Sequence, residues 1–253
     1  PPQLAEVSTM QYRLTLEGDE LVLRCPYEDR EVAKSIPGWR WDKQRKAWRY
    51  QAKPETLAAI REAFPWLAVP DEVRAAIERV RAAQRAVDEL KVAGDVEIDL
   101  PTKLPLYAHQ RRMAAMALQV PAFAWFAEMG TGKTAAAVAV AGERFRRGEI
   151  QACLVVAPKS VLPVWQREFM TFAAFPYHVK VLEGSIADRE TDLIGPWLEG
   201  ALRVAVVNYE ATWRMETALA RFIKGGLIIA DESHRIKTPG AQQSKAMGRL
   251  GQV

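Results

Sequence analysis

The run Glu128-Met-Gly-Thr-Gly-Lys-Thr134 follows an apolar segment, residues 122–127, and leads into an alanine-rich stretch, residues 133–147. No other feature constrains the chain as strongly. A strand that stops at a glycine loop and resumes as a helix can wrap a polyphosphate. Gly130 and Gly132 let backbone N–H groups turn inward with no Cβ in the way. The helix presents its positive end to the same anion. In such a loop, formed by Met129, Gly130, Thr131 and Gly132, Lys133 reaches the β- and γ-phosphates and the Thr134 hydroxyl sits on Mg2+. The pattern G-x-x-x-x-G-K-[ST] is met except at its first position, where Ala127 replaces glycine. Ala127 closes the strand and need not approach the phosphate. A glycine-rich helix start without a ligand would leave the Lys-Thr pair unexplained.

A second motif supplies what such a loop lacks. Leu227-Ile-Ile-Ala-Asp-Glu-Ser-His234 puts Asp231 and Glu232 at the carboxyl end of an apolar strand, where parallel sheets bind ligands. Asp231 can hold Mg2+ through its water shell, and Glu232 can orient and deprotonate an attacking water. Alone, the string reads more readily as a solvated acidic pair at a strand end. Downstream of a phosphate loop, with strands and helices between, it reads as the second half of one nucleotide site.

The stretches around these motifs alternate. Apolar strand candidates fall at 122–127, 152–157, 178–182, 204–208 and 227–231, with helix candidates at 133–147, 161–172, 188–198 and 211–224. Such alternation predicts an α/β fold, a parallel sheet with helices on both faces. Upstream, residues 71–92 carry Val73, Ile77, Val80, Ala83, Val87 and Leu90 at helical spacing, ended by Gly94 and Pro101. Earlier still, Tyr12-Arg-Leu-Thr-Leu and Leu21-Val-Leu-Arg-Cys25 alternate around Gly18-Asp19, a hairpin signal. A short helix over 28–36, a second hairpin through Trp39-Arg-Trp-Asp and Ala47-Trp-Arg-Tyr50, and a helix over 54–64 complete a small α+β module of order ββαββα. The predicted organisation is a tail (1–10), this module (11–68), a helical connector (69–100) and the α/β lobe (101–253).

The two motifs, AEMGTGKT and ADESHRIK, resemble motifs I and II of superfamily 2 helicases and translocases, and their surroundings resemble the Snf-type branch. Leu106-Tyr-Ala-His-Gln110 is similar to that branch's adenine-reading Q element. Val155-Val-Ala-Pro-Lys-Ser160, running into Trp165, looks like motif Ia. Val206-Val-Asn-Tyr-Glu210 resembles the Tyr-Glu element before motif II, and His234, Arg235 and Lys237 match the continuation after it, with Ser233 for Ala and Thr238 for Asn. The resemblance implies the first RecA-like lobe of a P-loop DNA-dependent ATPase that uses ATP and Mg2+. It also implies Gln110 at the adenine and Lys159 and Ser160 on the DNA backbone. Each lesser element keeps a plainer alternative: Gln110 as a helix-start residue, Lys159 and Ser160 as helix caps, Tyr209 as core. Motors of this kind close two such lobes over ATP, and the second supplies an arginine finger worth about 10³–10⁵ in rate. No motif III or second lobe follows Asp231 within these 253 residues. The expectation is a chain that binds ATP and DNA and turns over poorly alone. The rival expectations are an RNA-directed superfamily 2 helicase and a non-catalytic nucleic-acid-binding module with a vestigial nucleotide site.

The N-terminal module carries its own signal. Arg40, Lys43, Arg45, Lys46, Arg49 and Lys53 interleave with Trp39, Trp41, Trp48 and Tyr50, with Asp42 as the sole acid in that stretch. Arginines that pair with phosphates beside aromatics that stack on bases would make a nucleic-acid surface through Arg40, Arg45, Lys46 and Arg49. Aromatics on one face building a core, with basic residues solvated on the other, is an equal reading. Pro26-Tyr27, Ile36, Gly38, Trp41-Asp42, Lys46 and Trp48 resemble the HARP module of annealing helicases, which implies branched or single-stranded DNA as partner.

Composition removes other classes. Three histidines and two distant cysteines, Cys25 and Cys153, show no zinc spacing and read as free thiols with no structural zinc. No apolar run approaches the roughly 18 residues of a membrane span, and the first residues lack a signal-peptide pattern. The expected location is the cytoplasm, nucleoid-associated, or a nucleus. A net charge of +4 permits nucleic-acid binding without requiring it.

Overall fold

Alternation builds the first sheet. In the computed structural model, which describes residues 12–128 and 130–253, β1 (Arg13–Glu17) and β2 (Glu20–Arg24) pair antiparallel with Leu14 opposite Leu23 and Leu16 opposite Leu21. Gly18, at φ +63°, makes the turn between them. β3 (Arg40–Asp42) and β4 (Ala47–Gln51) follow α1 (Arg30–Ser35), and the sheet order is β1-β2-β4-β3. One face gathers Leu14, Leu21, Leu23, Trp48 and Tyr50, which α1 and α2 (Pro54–Ala63) cover with Ala33, Leu57 and Ile60. Pro54 opens α2, where its missing N–H costs nothing. The Tyr50 hydroxyl donates to the Ala33 carbonyl at 2.8 Å, so the buried ring is also satisfied. The order is the expected ββαββα. α3 (Asp71–Val92) has the bounds that its periodicity predicts, and its Val73 and Ile77 join the same core.

The chain divides into two compact units, Pro1–Glu89 and Leu90–Val253. In the second, β5 (Ala152–Ala157), β6 (Tyr177–Val181), β7 (Leu202–Asn208) and β8 (Leu227–Ala230) form a parallel sheet of order β6-β7-β5-β8. Every residue of β5 is buried, as a central parallel strand requires. Its alternate residues serve two cores. Cys153, Val155 and Ala157 meet α5 (Lys133–Arg146) and α6 (Leu162–Phe172) through Val138, Leu162 and Phe169. Ala152, Leu154 and Val156 meet α8 (Tyr209–Arg214), α9 (Glu216–Ile223) and α10 (Gln242–Leu250) through Ala211, Leu219 and Met247. Helices on both faces of a parallel sheet are the α/β fold that the alternation predicts.

Three local expectations need correction. Residues 122–127 form no strand, so the described sheet has four strands and β8 is an edge. Some of their polar groups find other partners. The Ala127 and Glu128 carbonyls accept from Lys133 Nζ, Trp125 Nε1 donates to the Met113 carbonyl, and Phe126 is fully exposed. The helix expected over 211–224 is two, broken at Met215, whose φ of −113° and ψ of 18° leave the helical region. Its side chain is nonetheless buried, so it serves the core from the break. α7 (Ile186–Ile194) begins earlier than expected because Ser185 caps it, accepting from the Asp188 N–H at 3.2 Å while Asp188 accepts in return. α4 (Ala108–Leu118) and α10 are not among the expected helices. Among the described residues no helix is long and apolar enough to cross a membrane.

Candidate nucleotide-binding site

The loop before α5 turns on two glycines. Gly130 and Gly132 lie at φ +79° and +74°, a region that side chains rarely enter. Gly132 is constrained twice, because a Cβ there would sit 2.0 Å from Gln110 Nε2. Gln110 is buried and braces the loop. Its amide donates to the Thr131 carbonyl at 3.4 Å, and its Oε1 accepts from the Tyr107 N–H at 2.9 Å. His109 Nε2 lies 2.9 Å from that same Thr131 carbonyl, and the Thr131 hydroxyl donates to the Glu128 carbonyl. Lys133 Nζ bridges the Ala127 and Glu128 carbonyls at 3.0 and 2.8 Å. These are neutral acceptors, so the ammonium keeps its charge for an anion. Thr134 follows in the first turn of α5, and Met129 lies outside the described residues.

Asp231 is held at three points. Its N–H donates to the Val156 carbonyl at 2.8 Å, extending the β5–β8 ladder by one residue. Its carbonyl accepts from the Tyr209 hydroxyl at 2.7 Å, and its Oδ2 accepts from Trp165 Nε1 at 3.1 Å. Burial and the Asp231 charge push the Tyr209 phenol pKa upward, so it stays a donor. Glu232 adopts the left-handed conformation at φ 53°, a non-glycine outlier of the kind that collects at functional sites. Its carboxylate lies 3.2 Å from His234 Nδ1. Among the described residues no hydrogen bond or ion pair joins Lys133 or Thr134 to Asp231 or Glu232. A glycine loop opening a helix, an ammonium held only by neutral carbonyls and a carboxylate at a strand's carboxyl end are the groups that a magnesium-bound polyphosphate needs.

Lys159 and Ser160 are exposed on the short turn Lys159–Val161, past the end of β5. Lys159 and Leu162 line a hollow of about 350 Å³ with Glu183, Gly184 and Arg189. Arg189 is fixed by donating to Asn208 Oδ1 at 2.8 Å and to the Gly184 carbonyl at 3.1 Å.

In the first unit, the basic residues of the second hairpin are largely met by acids of the first. Arg40 pairs with Glu20 and Arg45 with Glu17. Arg49 reaches Glu20 at 2.7 Å, Glu17 at 2.9 Å and Asp42 at 3.5 Å. Burial works to raise the Glu20 carboxyl pKa, but hydrogen bonds and charge from Arg49 and Arg40 prevail and hold it below the usual carboxylate range. Lys46 stays exposed at φ 49° in the turn. Trp41 and Trp39 pack on Trp48 at 4.7 and 5.5 Å between ring centroids, yet both remain about two-fifths exposed.

Trp165 and Tyr209 stand in the sequence motifs, but their grip on Asp231 was not anticipated. The available signal was chemical: a buried indole N–H or phenol hydroxyl requires a partner. The brace that His109 adds to the loop carried no such signal.

A parallel sheet that ends in an acidic pair, with a glycine loop opening a helix, is the RecA-like lobe of P-loop ATPases. The assignment can be narrowed. The SNF2-related domain family matches residues 109–252, more than half of the chain, and the chain belongs to that family. It is 36% identical over 124 residues to a probable chromatin-remodeling complex ATPase chain of Oryza sativa, covering 47% of this chain and 11% of that protein. It is 35% identical over 121 residues to the ISWI chromatin-remodeling complex ATPase CHR11 of Arabidopsis thaliana, again 47% of this chain and 11% of the relative. Among solved structures it resembles the Sulfolobus solfataricus SWI2/SNF2 ATPase core in complex with dsDNA. The identity is 25% and the TM-score 0.50, over 60% of this chain and 31% of that one. The chain thus spans about a tenth of the length of these curated relatives.

Proposed function

We propose that the chain is the ATP-binding first lobe of a DNA-dependent ATPase that translocates on DNA, of the Snf-type remodelling or annealing kind. The observation that carries this reading is Asp231, fixed by Val156, Tyr209 and Trp165 at the end of β8 beside the left-handed Glu232. In it, Gly130, Thr131 and Gly132, with Met129, wrap the phosphates, and Lys133 exchanges its carbonyl partners for phosphate oxygens. Thr134 and Asp231 hold Mg2+, which when bound neutralises phosphate charge. Glu232 takes the proton of the attacking water, with His234 close enough to orient it. Gln110 reads the adenine from its place against the loop. Lys159 and Ser160 touch the DNA backbone.

The N-terminal module serves as a HARP-like surface for branched DNA. Because Arg40, Arg45 and Arg49 are paired with carboxylates, Lys46 and the half-exposed Trp39 and Trp41 carry most of that contact. The arginines can join it only by exchanging partners. Turnover requires a second RecA-like lobe. The described residues contain one parallel sheet, which supports slow hydrolysis by these 253 residues alone. The site of action is DNA, in a nucleoid or a nucleus.

The test compares duplex DNA, forked DNA and duplex RNA as stimulants of ATP hydrolysis, using the 253-residue chain and the same chain supplied with a second lobe. Stimulation by DNA only when the second lobe is present is expected. Stimulation by RNA in preference to DNA would replace this reading with an RNA-directed helicase.

A further inference from the structure

The indole of Trp165 is 3% exposed, and its N–H has Asp231 Oδ2 as its hydrogen-bond partner at 3.1 Å. Among the described residues no lysine, arginine or histidine forms an ion pair with the Asp231 side chain. A neutral donor therefore fixes one oxygen of this carboxylate without cancelling its charge, leaving Oδ1 for another ligand. That is what a hard cation asks of its support: a full negative charge, held in one orientation. A lysine or arginine in the same place would compete with the cation. A serine would orient the group less rigidly than a ring locked among Val155, Leu162 and Phe169.

We infer that Trp165 is a positioning residue for the metal-holding carboxylate of Asp231; this rests on the nucleotide-site reading above. Trp165 lies on α6, which begins directly after the turn bearing Lys159 and Ser160. One rigid helix therefore joins the nucleic-acid-facing turn to the carboxylate at the nucleotide site.

Trp165→Phe removes the donor and keeps an aromatic ring. In the full 253-residue chain, a fluorescent ATP analogue is titrated in EDTA and then with rising Mg2+. The variant should bind the analogue in EDTA much as wild type does. It should need about tenfold more Mg2+ for the metal-dependent gain in affinity, the scale typical of lost outer partners of metal ligands. In wild type, the Trp165 indole ¹H–¹⁵N resonance, assigned by its through-space contacts to neighbouring core side chains, should shift when Mg2+ is added to the ADP-bound chain. If Trp165→Phe does not fold, that resonance decides alone. A variant with a wild-type Mg2+ midpoint, or an indole signal that Mg2+ leaves in place, overturns the inference while the nucleotide-site reading stands. A wild-type chain that binds no nucleotide at all overturns both.

Discussion

Two positions set firm terms at the residue scale. Gly132 combines a positive φ with a Gln110 amide where a Cβ would stand. Gly132→Ala should lower stability by about 1–2 kcal/mol from the backbone alone, read by thermal or urea unfolding, and should abolish nucleotide binding by moving the loop. An unchanged melting temperature would contradict the geometry. Glu20 makes the second case. Its folded pKa is depressed by Arg49 and Arg40 against the opposing effect of burial. A depressed carboxyl stabilises the fold above its unfolded pKa of about 4.3 and loses that contribution as pH falls through the folded value. Glu20→Gln should therefore cost about 1–3 kcal/mol near neutral pH, the range for a hydrogen bond to a charged group. The cost should shrink as pH drops below about 4. Urea titrations of the first unit at pH 7 and pH 3 read both, and a pH-independent cost would contradict the account.

Elements with strong periodicity were legible in the sequence. The residues of β5 and α3 are those that the apolar pattern marks, because a fully buried parallel strand and a long amphipathic helix each impose one unbroken pattern. The exceptions have tertiary causes. Residues 122–127 read as a strand from composition, yet Lys133 takes the Ala127 and Glu128 carbonyls and Phe126 faces solvent. Met215 interrupts a helical pattern because the buried side chain is needed where the chain turns. The ion network was illegible because Glu17 and Glu20 sit on another hairpin, 28 to 32 residues from Arg45 and Arg49. The pairing of Trp165 with Asp231 spans 66 residues and was hidden for the same reason. Without nucleotide, amide hydrogen exchange should be slow at 154–156 and fast at 123–127. Equal protection in both segments would show that 123–127 pairs with β8 after all.

For the molecule as a whole, fold and family agree: an α/β lobe of the SNF2-related domain family, joined to a small module built on an antiparallel sheet. The motif order alone points to that class, since phosphate loops and acidic strand ends are local in sequence. What the whole protein acts on is a matter of longer range, because the chain matches 11% of the length of the rice and Arabidopsis remodelling ATPases. The central claim is narrower: these 253 residues hold a working half of an ATP site. Equilibrium titration of a fluorescent ATP analogue into wild type and Lys133→Ala, each with Mg2+, tests it most directly. The account predicts saturable, Mg2+-enhanced binding by wild type that Lys133→Ala weakens at least about tenfold, the 1.4 kcal/mol or more expected of a lost charge-assisted contact. Equal binding by the two chains, or none by wild type, would contradict it.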